Sequence, residues 1–410
     1  MQPSSIQSEI PSDGLRGLRE HWRSDLIAAF SVALVALPLG LGIAMASNVP
    51  PMAGVISAVI GGIFATFFRG SYVAINGPAA GLIVVILTAM DSLGEFTHVL
   101  GAIVVAGIIQ IALGFLKLGS LGKVFPASVI HGMLAAIGVI IFGKQAHVAL
   151  GQKTDAHSSL DVLFAIVDSV KVLDPLVTLI SVTCLLLLLF HKKVKNKLVH
   201  FLPAPVWVML VAIPLAVLLS QYGLDPKHML TIDGSLQDSI VHPSFQKIGE
   251  LNFWLAVMSI TLVASIETLL ASTAIDKLDP YKRQTNLDRD LVGVGLATLV
   301  AGCVGGLPII TVIVRSSVNI NHGGQTRWAN FFHGVIILVF LLFFMNVLSM
   351  IPLAALAAIL VFTGFKLASP KVFQDAYRKG PEQLFILGGT LFFTLKYGLL
   401  EGIFLGVLLT

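Results

Sequence analysis

Long apolar runs recur along the whole chain, and they restrict its possible folds more than any other feature. A helix needs about 20 apolar residues to cross the ~30 Å hydrocarbon core of a bilayer, and such runs follow one another from residue 25 to the last residue. Hydrophobic residues make up 56% of the 410 residues, charged residues make up 12%, and the mean hydropathy is +0.91. These values exclude an ordinary soluble domain. The sequence therefore predicts an all-α polytopic membrane protein.

The apolar segments fall into two sets of seven. The predicted helices of the first set are 25–46, 52–67, 77–90, 99–116, 124–142, 176–190 and 205–221, and those of the second are 252–275, 291–304, 315–322, 328–348, 353–367, 382–395 and 399–410. Because seven is odd, the second set must run inverted relative to the first, as in many secondary transporters. The predicted organisation is an N-terminal tail (1–24), a first repeat (25–221), an extracytoplasmic loop (222–251) and a second repeat (252–410).

The basic residues test this topology. With the N-terminus placed in the cytoplasm, 19 Lys and Arg fall in inside segments and six fall outside, and only Arg315 lies within a span. This asymmetry agrees with the positive-inside rule. The first 24 residues are polar, and no cleavable signal is visible. We therefore expect a multi-pass cell-membrane protein with a cytoplasmic N-terminus. The net charge of +4 gives no support for a nucleic-acid partner.

Two segments are predicted to begin as strands and continue as helices. In SYVAINGPAAGL, residues 72–75 are the extended run, Asn76 is a candidate N-cap, and Pro78 occupies a favourable first helical position. In GGLPIITVIVRSSVNINHGG, residues 309–314 are extended and residues 315–317 open the helix. Each is the third segment of its half, so both helix N-termini are expected near the bilayer midplane. Their amide donors and dipoles, with Arg315 beside them, would suit an anion.

Arg315 and Glu267 are the charged residues that most need an explanation. An arginine at membrane depth costs at least about 2.5 to 3.5 kcal/mol on insertion scales, so Arg315 should face substrate or form an ion pair, for example with Glu267. Glu267 could carry a coupling proton or neutralise Arg315, and these roles are compatible. Pro38 either kinks the first helix or lies beside a cavity.

The remaining His, Cys, Asp and Glu residues form no recognisable metal-binding or catalytic motif. No spacing of His, Cys, Asp and Glu resembles a metal site, and no nucleophile elbow, P-loop or dinucleotide fingerprint is present. His131 and His333 are interpreted as packing or interfacial residues, and Cys184 and Cys303 as unpaired cysteines in apolar runs. We expect neither an enzyme nor an ATP-driven pump, and no cofactor.

Four stretches, in this order and spacing, resemble the SulP anion permeases, whose relatives include prestin and pendrin. They are ALPLGLGIAMASNVPPMAGVISAVIGG, INGPAAGL, SIETLL and IVRSSVNINHGGQTR. The resemblance implies a 14-helix inverted repeat with a core domain (helices 1–4 and 8–11) and a gate domain (5–7 and 12–14), an elevator motion and a homodimer. It also implies a substrate site formed by Pro38, Leu39, Gly77, Pro78, Ala79, Glu267, Val314, Arg315 and Ser316.

The chain also departs from the family pattern. The sodium-coupled bicarbonate branch carries Asp at the position of Glu267 and Thr at that of Ala271, which disfavours a sodium site in this chain. Leu39 is apolar where many vertebrate relatives are polar. The family normally continues into a cytoplasmic STAS domain, whereas this sequence stops within its last predicted helix, as a truncated chain would.

These features favour a secondary transporter of a small inorganic anion, with sulfate or bicarbonate as substrate, driven by protons or by anion exchange. Three alternatives stay open: a carrier of dicarboxylates or other carboxylates, a nucleobase carrier of the same fold, and an anion channel. Arg315 argues against an uncharged base. Saturable flux would distinguish a carrier from a channel.

Overall fold

The computed structural model describes residues 10–123, 126–153, 159–194, 202–231 and 238–410. The regular structure in these ranges is helical, apart from two two-residue strands, β1 (Asn76–Gly77) and β2 (Ile310–Thr311). The helices of the first half are α1 (Gly14–Ala46), α2 (Pro51–Phe68), α3 (Ile83–Leu93), α4 (Phe96–Phe115), α5 (Ala127–Ala149), α6 (Ser159–Lys171), α7 (Pro175–Phe190) and α8 (Ala204–Ser220). Those of the second half are α9 (Leu251–Leu278), α10 (Leu287–Cys303), α11 (Ile313–Asn321), α12 (Trp328–Leu348), α13 (Leu353–Leu367), α14 (Pro370–Lys379), α15 (Pro381–Tyr397) and α16 (Leu399–Leu408).

The helices have the length and composition of a membrane protein. Within the described ranges, seven helical stretches are long and apolar enough to cross a bilayer, or eight if α6 and α7, which meet at 118°, form one broken span. Shorter apolar helices include α8, α16 and the stretch Ala80–Leu93 that contains α3. The predicted all-α membrane fold is therefore confirmed, whereas the seven-plus-seven repeat with 14 spans stays a prediction.

Several helix bounds differ from the prediction for physical reasons. The first helix begins at Gly14 rather than residue 25, because the Asp13 carboxylate accepts the Gly14 N–H (2.8 Å) and the polar stretch 14–24 continues the helix below its apolar part. Helices α6 and α14 were not predicted, because both carry charged residues and are too short to span. The fifth helix was predicted to begin at residue 124. Residues 124–125 lie outside the described ranges, and α5 begins at Ala127.

Helices α1–α4 and α9–α12 (the core group) and helices α5–α8 and α13–α16 (the gate group) correspond to the core and gate domains that the family resemblance implies. In the core group, the closest association is between α4 and α10, and α2 packs against α1, α10 and α12. In the gate group, helix α5 packs against α13 and α15, and α7 packs against α8 and α13. The contacts between the groups include those of α1 with α13 and α8, and of α3 with α5.

Glycines allow the helices of the core group to approach backbone to backbone. A Cβ atom on Gly40 of α1 would lie 3.0 Å from the Gly54 carbonyl oxygen of α2, and one on Gly62 of α2 would lie 2.6 Å from Gly334 Cα of α12. Small residues favour such close contact in a bilayer, where lipid tails are as apolar as any side chain. The three helices around Pro38 therefore form a tightly packed unit.

Replacing Gly54 with alanine should destabilise this unit. The added Cβ would collide with the Gly40 carbonyl, and overpacking of this kind costs about 1 to 3 kcal/mol. We expect Gly54→Ala to lower the thermal unfolding midpoint of the purified protein in detergent. Gly388→Ala in α15 is the matched control, because a Cβ there has nothing within 4 Å. Equal midpoints for the two variants would contradict the proposed packing.

Candidate functional site

The two short strands pair with each other and join the two halves of the chain. They are antiparallel, with Asn76 opposite Thr311 and Gly77 opposite Ile310. The Val312 N–H extends the ladder by donating to the Ile75 carbonyl (2.9 Å). Helices α3 and α11 start within a few residues of this ladder, and their 11 and 9 residues are too few to span at ~1.5 Å per residue. The ladder thus holds two helix N-termini close together inside the core group.

The start of each short helix differs from its predicted position. Asn76 lies in β1 and does not cap a helix; a 3-10 turn (Ala80–Leu82) follows Pro78 and leads into α3. The prediction failed because the Asn76 amide is used elsewhere, donating to Thr311 Oγ1 (3.1 Å). Helix α11 begins at Ile313, two residues before the predicted start. No side chain caps the 3-10 turn, α3 or α11. The Leu82 and Ile83 N–H groups donate to the Ala79 and Ala80 carbonyls, so the amide groups left without a side-chain acceptor are those at the start of the 3-10 turn and of α11.

Arg315 lies in the first turn of α11 and points into the core group. Its side chain is fully buried, and a Cβ on Gly77 would collide with its Nη1 atom. Nε, Nη1 and Nη2 of Arg315 have no hydrogen-bond partner among the described residues. A buried charge without a partner carries a large desolvation cost. The protein therefore places unpaired guanidinium donors directly beside the segment that leads into the other short helix.

Glu267 lies on α9, on the other side of the same segment. It is 8% exposed, its carboxylate lies against Gly81 in the 3-10 turn, and Oε1 has no hydrogen-bond partner within the described ranges. Neither a salt bridge nor a hydrogen bond joins Glu267 to Arg315. The expected alternative, a direct ion pair between them, is not formed in this structure. The two charges instead lie against the two ends of segment 77–81.

The remaining residues of the predicted site fall into three environments. Gly77, Pro78 and Ala79 are buried in the segment between the two charges. Pro38 is buried inside α1, and neighbouring Leu39 is half-buried and packs toward the apolar cluster of the gate group. Val314, by contrast, is 59% exposed at the start of α11. That helix end is therefore open on one side, while Arg315 is enclosed on the other.

Ser316 has a structural role in this arrangement. Its hydroxyl accepts the Ile75 N–H (2.8 Å) and donates to the Val312 carbonyl (2.7 Å). Because both bonds are internal and the side chain is fully buried, the Ser316 hydroxyl fixes the strand ladder to the first turn of α11. A direct substrate contact, as the resemblance implies, would have to share this hydroxyl.

A buried polar network that the sequence did not reveal supports the ladder from one side. The Asp290 carboxylate accepts hydrogen bonds from Ser272 Oγ (2.5 Å), Thr311 Oγ1 (3.2 Å) and the Gly70 N–H (3.3 Å). Asn76 links Thr311 to Arg69, whose Nη1 donates to Asn76 Oδ1 (3.1 Å) and to the Ala74 carbonyl. Arg69 and Asp290 are both fully buried. Arg69 is one of the 19 Lys and Arg that the predicted topology assigns to inside segments. In the sequence, only its position just before the SYVAING stretch indicates a role near the ladder.

Asn330 and His333 of α12 complete the surroundings. Asn330 Oδ1 accepts the Asn76 N–H (2.9 Å), and its amide donates to the Gly61 carbonyl (3.0 Å), so it ties β1 to α2. His333 was predicted to be a packing or interfacial residue. It is fully buried on the same helix as Asn330, which agrees with a packing role. His131, by contrast, is exposed on α5.

Removing the Thr311 hydroxyl should weaken the ladder. Thr311→Val keeps the shape of the side chain but deprives both Asn76 and Asp290 of a buried partner, at a cost of about 1 to 3 kcal/mol. We expect a lower thermal unfolding midpoint in detergent. Thr183→Val in α7 is the control, because the Thr183 hydroxyl donates within its own helix to the Leu179 carbonyl (2.8 Å). A Thr311→Val midpoint as high as that of the control would contradict the role of the network.

The chain is similar to known proteins over most of its length. The model of the sulfate permease family matches residues 22–390. YvdB of Bacillus subtilis (strain 168), a protein named for sulfate transport, is 31% identical over 399 residues, which cover 95% of this chain and 73% of that protein. The bicarbonate transporter BicA of Picosynechococcus sp. (strain ATCC 27264 / PCC 7002 / PR-6) is 26% identical over 400 residues, covering 94% of this chain and 69% of BicA. The solved transmembrane domain of a cyanobacterial BicA superposes with a TM-score of 0.80 at 23% identity, covering 95% of this chain and 97% of that domain.

Proposed function

Because the chain belongs to the sulfate permease family, we propose that it is a secondary active transporter of small inorganic oxyanions, with sulfate or bicarbonate as its substrate. The relatives are named for sulfate and bicarbonate transport, which supports a transporter and not an enzyme. The observation that carries the proposal is the buried guanidinium of Arg315, which has no hydrogen-bond partner among the described residues and lies beside two helix N-termini without side-chain caps.

The charges explain why an oxyanion suits this place. The amide groups of two helix N-termini and one guanidinium together provide donors and positive potential in a region that excludes water. An uncharged nucleobase would gain little from Arg315, whereas a sulfate, bicarbonate or carboxylate oxygen would accept its N–H groups. Exposed Val314 leaves one side of the α11 N-terminus accessible. A dicarboxylate carrier is the second candidate, because its carboxylate groups use the same donors.

Glu267 is proposed to carry the coupling proton. With Arg315 positive and Glu267 negative, the buried pair has no net charge, and a bound monovalent anion adds one negative charge. One proton on Glu267 would restore neutrality with bicarbonate and leave a single negative charge with sulfate, and in both cases this lowers the cost of moving the loaded site through a region of low dielectric. The absence of a direct bond from Arg315 to Glu267 among the described residues leaves the carboxylate free to take that proton. Exchange of one anion for another is the alternative mode.

The proposed motion is that of an elevator. The strand ladder, Arg315 and Glu267 all belong to the core group, whose helices are locked together by glycine contacts and by the buried network. The gate group packs around α5 and α13 and meets the core mainly through α1. A rigid core could therefore move past the gate and carry the whole site with it. The proposal includes 25–221 and 252–410 as inverted repeats, a cytoplasmic N-terminus in the cell membrane, and a homodimer.

Arg315→Gln should remove most anion uptake. Losing charge-assisted hydrogen bonds of about 1.5 to 3 kcal/mol corresponds to roughly a 10- to 150-fold lower uptake efficiency. The measurement is the initial rate of labelled sulfate or bicarbonate uptake into proteoliposomes, with size-exclusion profiles to show that the variant is folded. Arg378→Gln, an exposed residue of α14, is the control with the same change in net charge. Uptake at the wild-type rate by Arg315→Gln would refute the assignment.

Glu267→Gln should separate transport from the proton gradient. The amide cannot take up a proton, so we expect uptake to lose its acceleration by an inward proton gradient while a folded protein still binds anion. Uptake is compared with and without a pH step across the proteoliposome membrane. Glu382→Gln, an exposed residue of α15, should keep the acceleration. An unchanged response in Glu267→Gln would exclude this residue as the proton carrier.

A further inference from the structure

A cavity of about 630 Å³ lies between the core and gate groups, away from the strand ladder. The core contributes Gly42 and Met45 of α1 and Asn48 from the turn that follows. The gate contributes residues at the C-terminal end of α5 and at the start of α13, together with Lys227 and His228. With the N-terminus in the cytoplasm, as proposed, the ends of α1 and α5 face the outside. We call this cavity the outer vestibule.

The lining of the outer vestibule is basic. Lys153, Lys227 and His228 line it, and its described lining residues include no Asp or Glu. Two acidic groups that pair with residues of the lining or lie beside them are partly occupied. Asp225 bonds to the Lys227 ammonium (2.9 Å), and Asp174, which lies 3.7 Å from His228 Nε2, also caps α7.

Lys153 contributes a positive charge that pairs with no acidic side chain in the described ranges. Its charge is therefore not offset in the way that Asp225 offsets Lys227. Side-chain amides of Asn48 and Gln145 supply further donors to the same wall. A concave wall whose lining charges are of one sign concentrates counter-ions.

The floor of the outer vestibule lies one helical turn from the proposed site. Gly42 follows Pro38 by four residues on α1, which is about one turn or ~5.4 Å. A Cβ on Gly42 would lie 3.3 Å from Leu360 Cδ1 and 3.7 Å from Leu356 Cβ, and both leucines are fully or almost fully buried. An apolar contact between α1 and α13 therefore lies at the edge of the cavity, about one turn from Pro38.

We propose that the outer vestibule is a second, low-affinity site for small oxyanions, in which Lys153 and Lys227 hold the anion before it passes the Gly42 contact. The site rests on the proposed transport function, because it lies on the path that such an anion would take. The vestibule would raise the concentration of anion next to the Gly42 contact. It would therefore lower the KM of transport and leave the maximal rate unchanged.

The transport test removes both lysines. In cells of a host that lacks its own uptake of the tested anion, the double variant Lys153→Gln/Lys227→Gln should raise the KM for external sulfate or bicarbonate about three- to tenfold, at the low end of what focused fields produce. The maximal rate should change little, and the difference should disappear at about 1 M salt, where charges are screened within ~3 Å.

The matched control removes two lysines that lie outside the vestibule lining. Lys171 and Lys247 pair with Asp168 and Glu250 on the proposed outer side. Lys171→Gln/Lys247→Gln makes the same change in net charge and should leave KM unchanged. An equal KM in wild type and Lys153→Gln/Lys227→Gln, or an equal rise in both double variants, would overturn the proposal.

A second measurement does not depend on transport. Met45 lines the outer vestibule and is 36% exposed, so Met45→Cys can be labelled with an anionic sulfonate and a cationic trimethylammonium methanethiosulfonate. The ratio of anionic to cationic labelling rates, corrected for Cys184 and Cys303 in the parent chain, should fall about three- to tenfold when both vestibule lysines are removed. An unchanged ratio would refute a positive vestibule. If the wild-type chain transports neither anion, the proposed transport function is wrong. The ratio of labelling rates at Met45→Cys still tests whether the vestibule is positive.

Discussion

The antiparallel contact between β1 and β2 is the constraint on which the rest of the site depends. In a bilayer, a backbone that leaves the helix must find its hydrogen bonds within the protein, and here each half supplies the partner for the other. The pairing also fixes where α3 and α11 begin. Two helix N-termini are therefore held in a defined relation by only a few backbone bonds, reinforced by Thr311 and Asp290 from one side.

This anchoring explains how unpaired charges can persist nearby. Arg315 and Glu267 each face glycine positions, Gly77 and Gly81, where any larger residue would displace them. A flexible site would relax until the guanidinium and carboxylate met, since an ion pair is the cheapest way to bury both. The ladder and the close α1–α2–α12 packing oppose that relaxation. The fold thus loses some stability by keeping the N–H donors of Arg315 unpaired, which is a common feature of ligand sites.

The sequence predicted two buried charged residues of the core group better than it predicted the local geometry around them. Hydropathy and the lone intramembrane arginine were enough to predict a helical membrane fold and to single out Arg315 and Glu267, because burying a charge is costly enough to require a reason. The position of Asn76 was misinterpreted, because a residue that favours an N-cap can equally bond across a strand pair, and only tertiary contacts decide. Asp290 was missed because its partners lie 18, 21 and 220 residues away, a separation that no local pattern encodes.

The apolar contact at Gly42 connects the access of anions to the proposed site with the movement of the core group. One side of it, Gly42, belongs to the core group that carries the proposed site, and the other side, Leu356 and Leu360, belongs to the gate. Under the proposed elevator motion, sliding of the core separates the two sides of this contact and so opens the vestibule toward the site. A barrier formed this way needs no moving part of its own. Its apolar surface excludes a hydrated anion by desolvation cost alone, so the basic vestibule can hold anions outside without leaking them through.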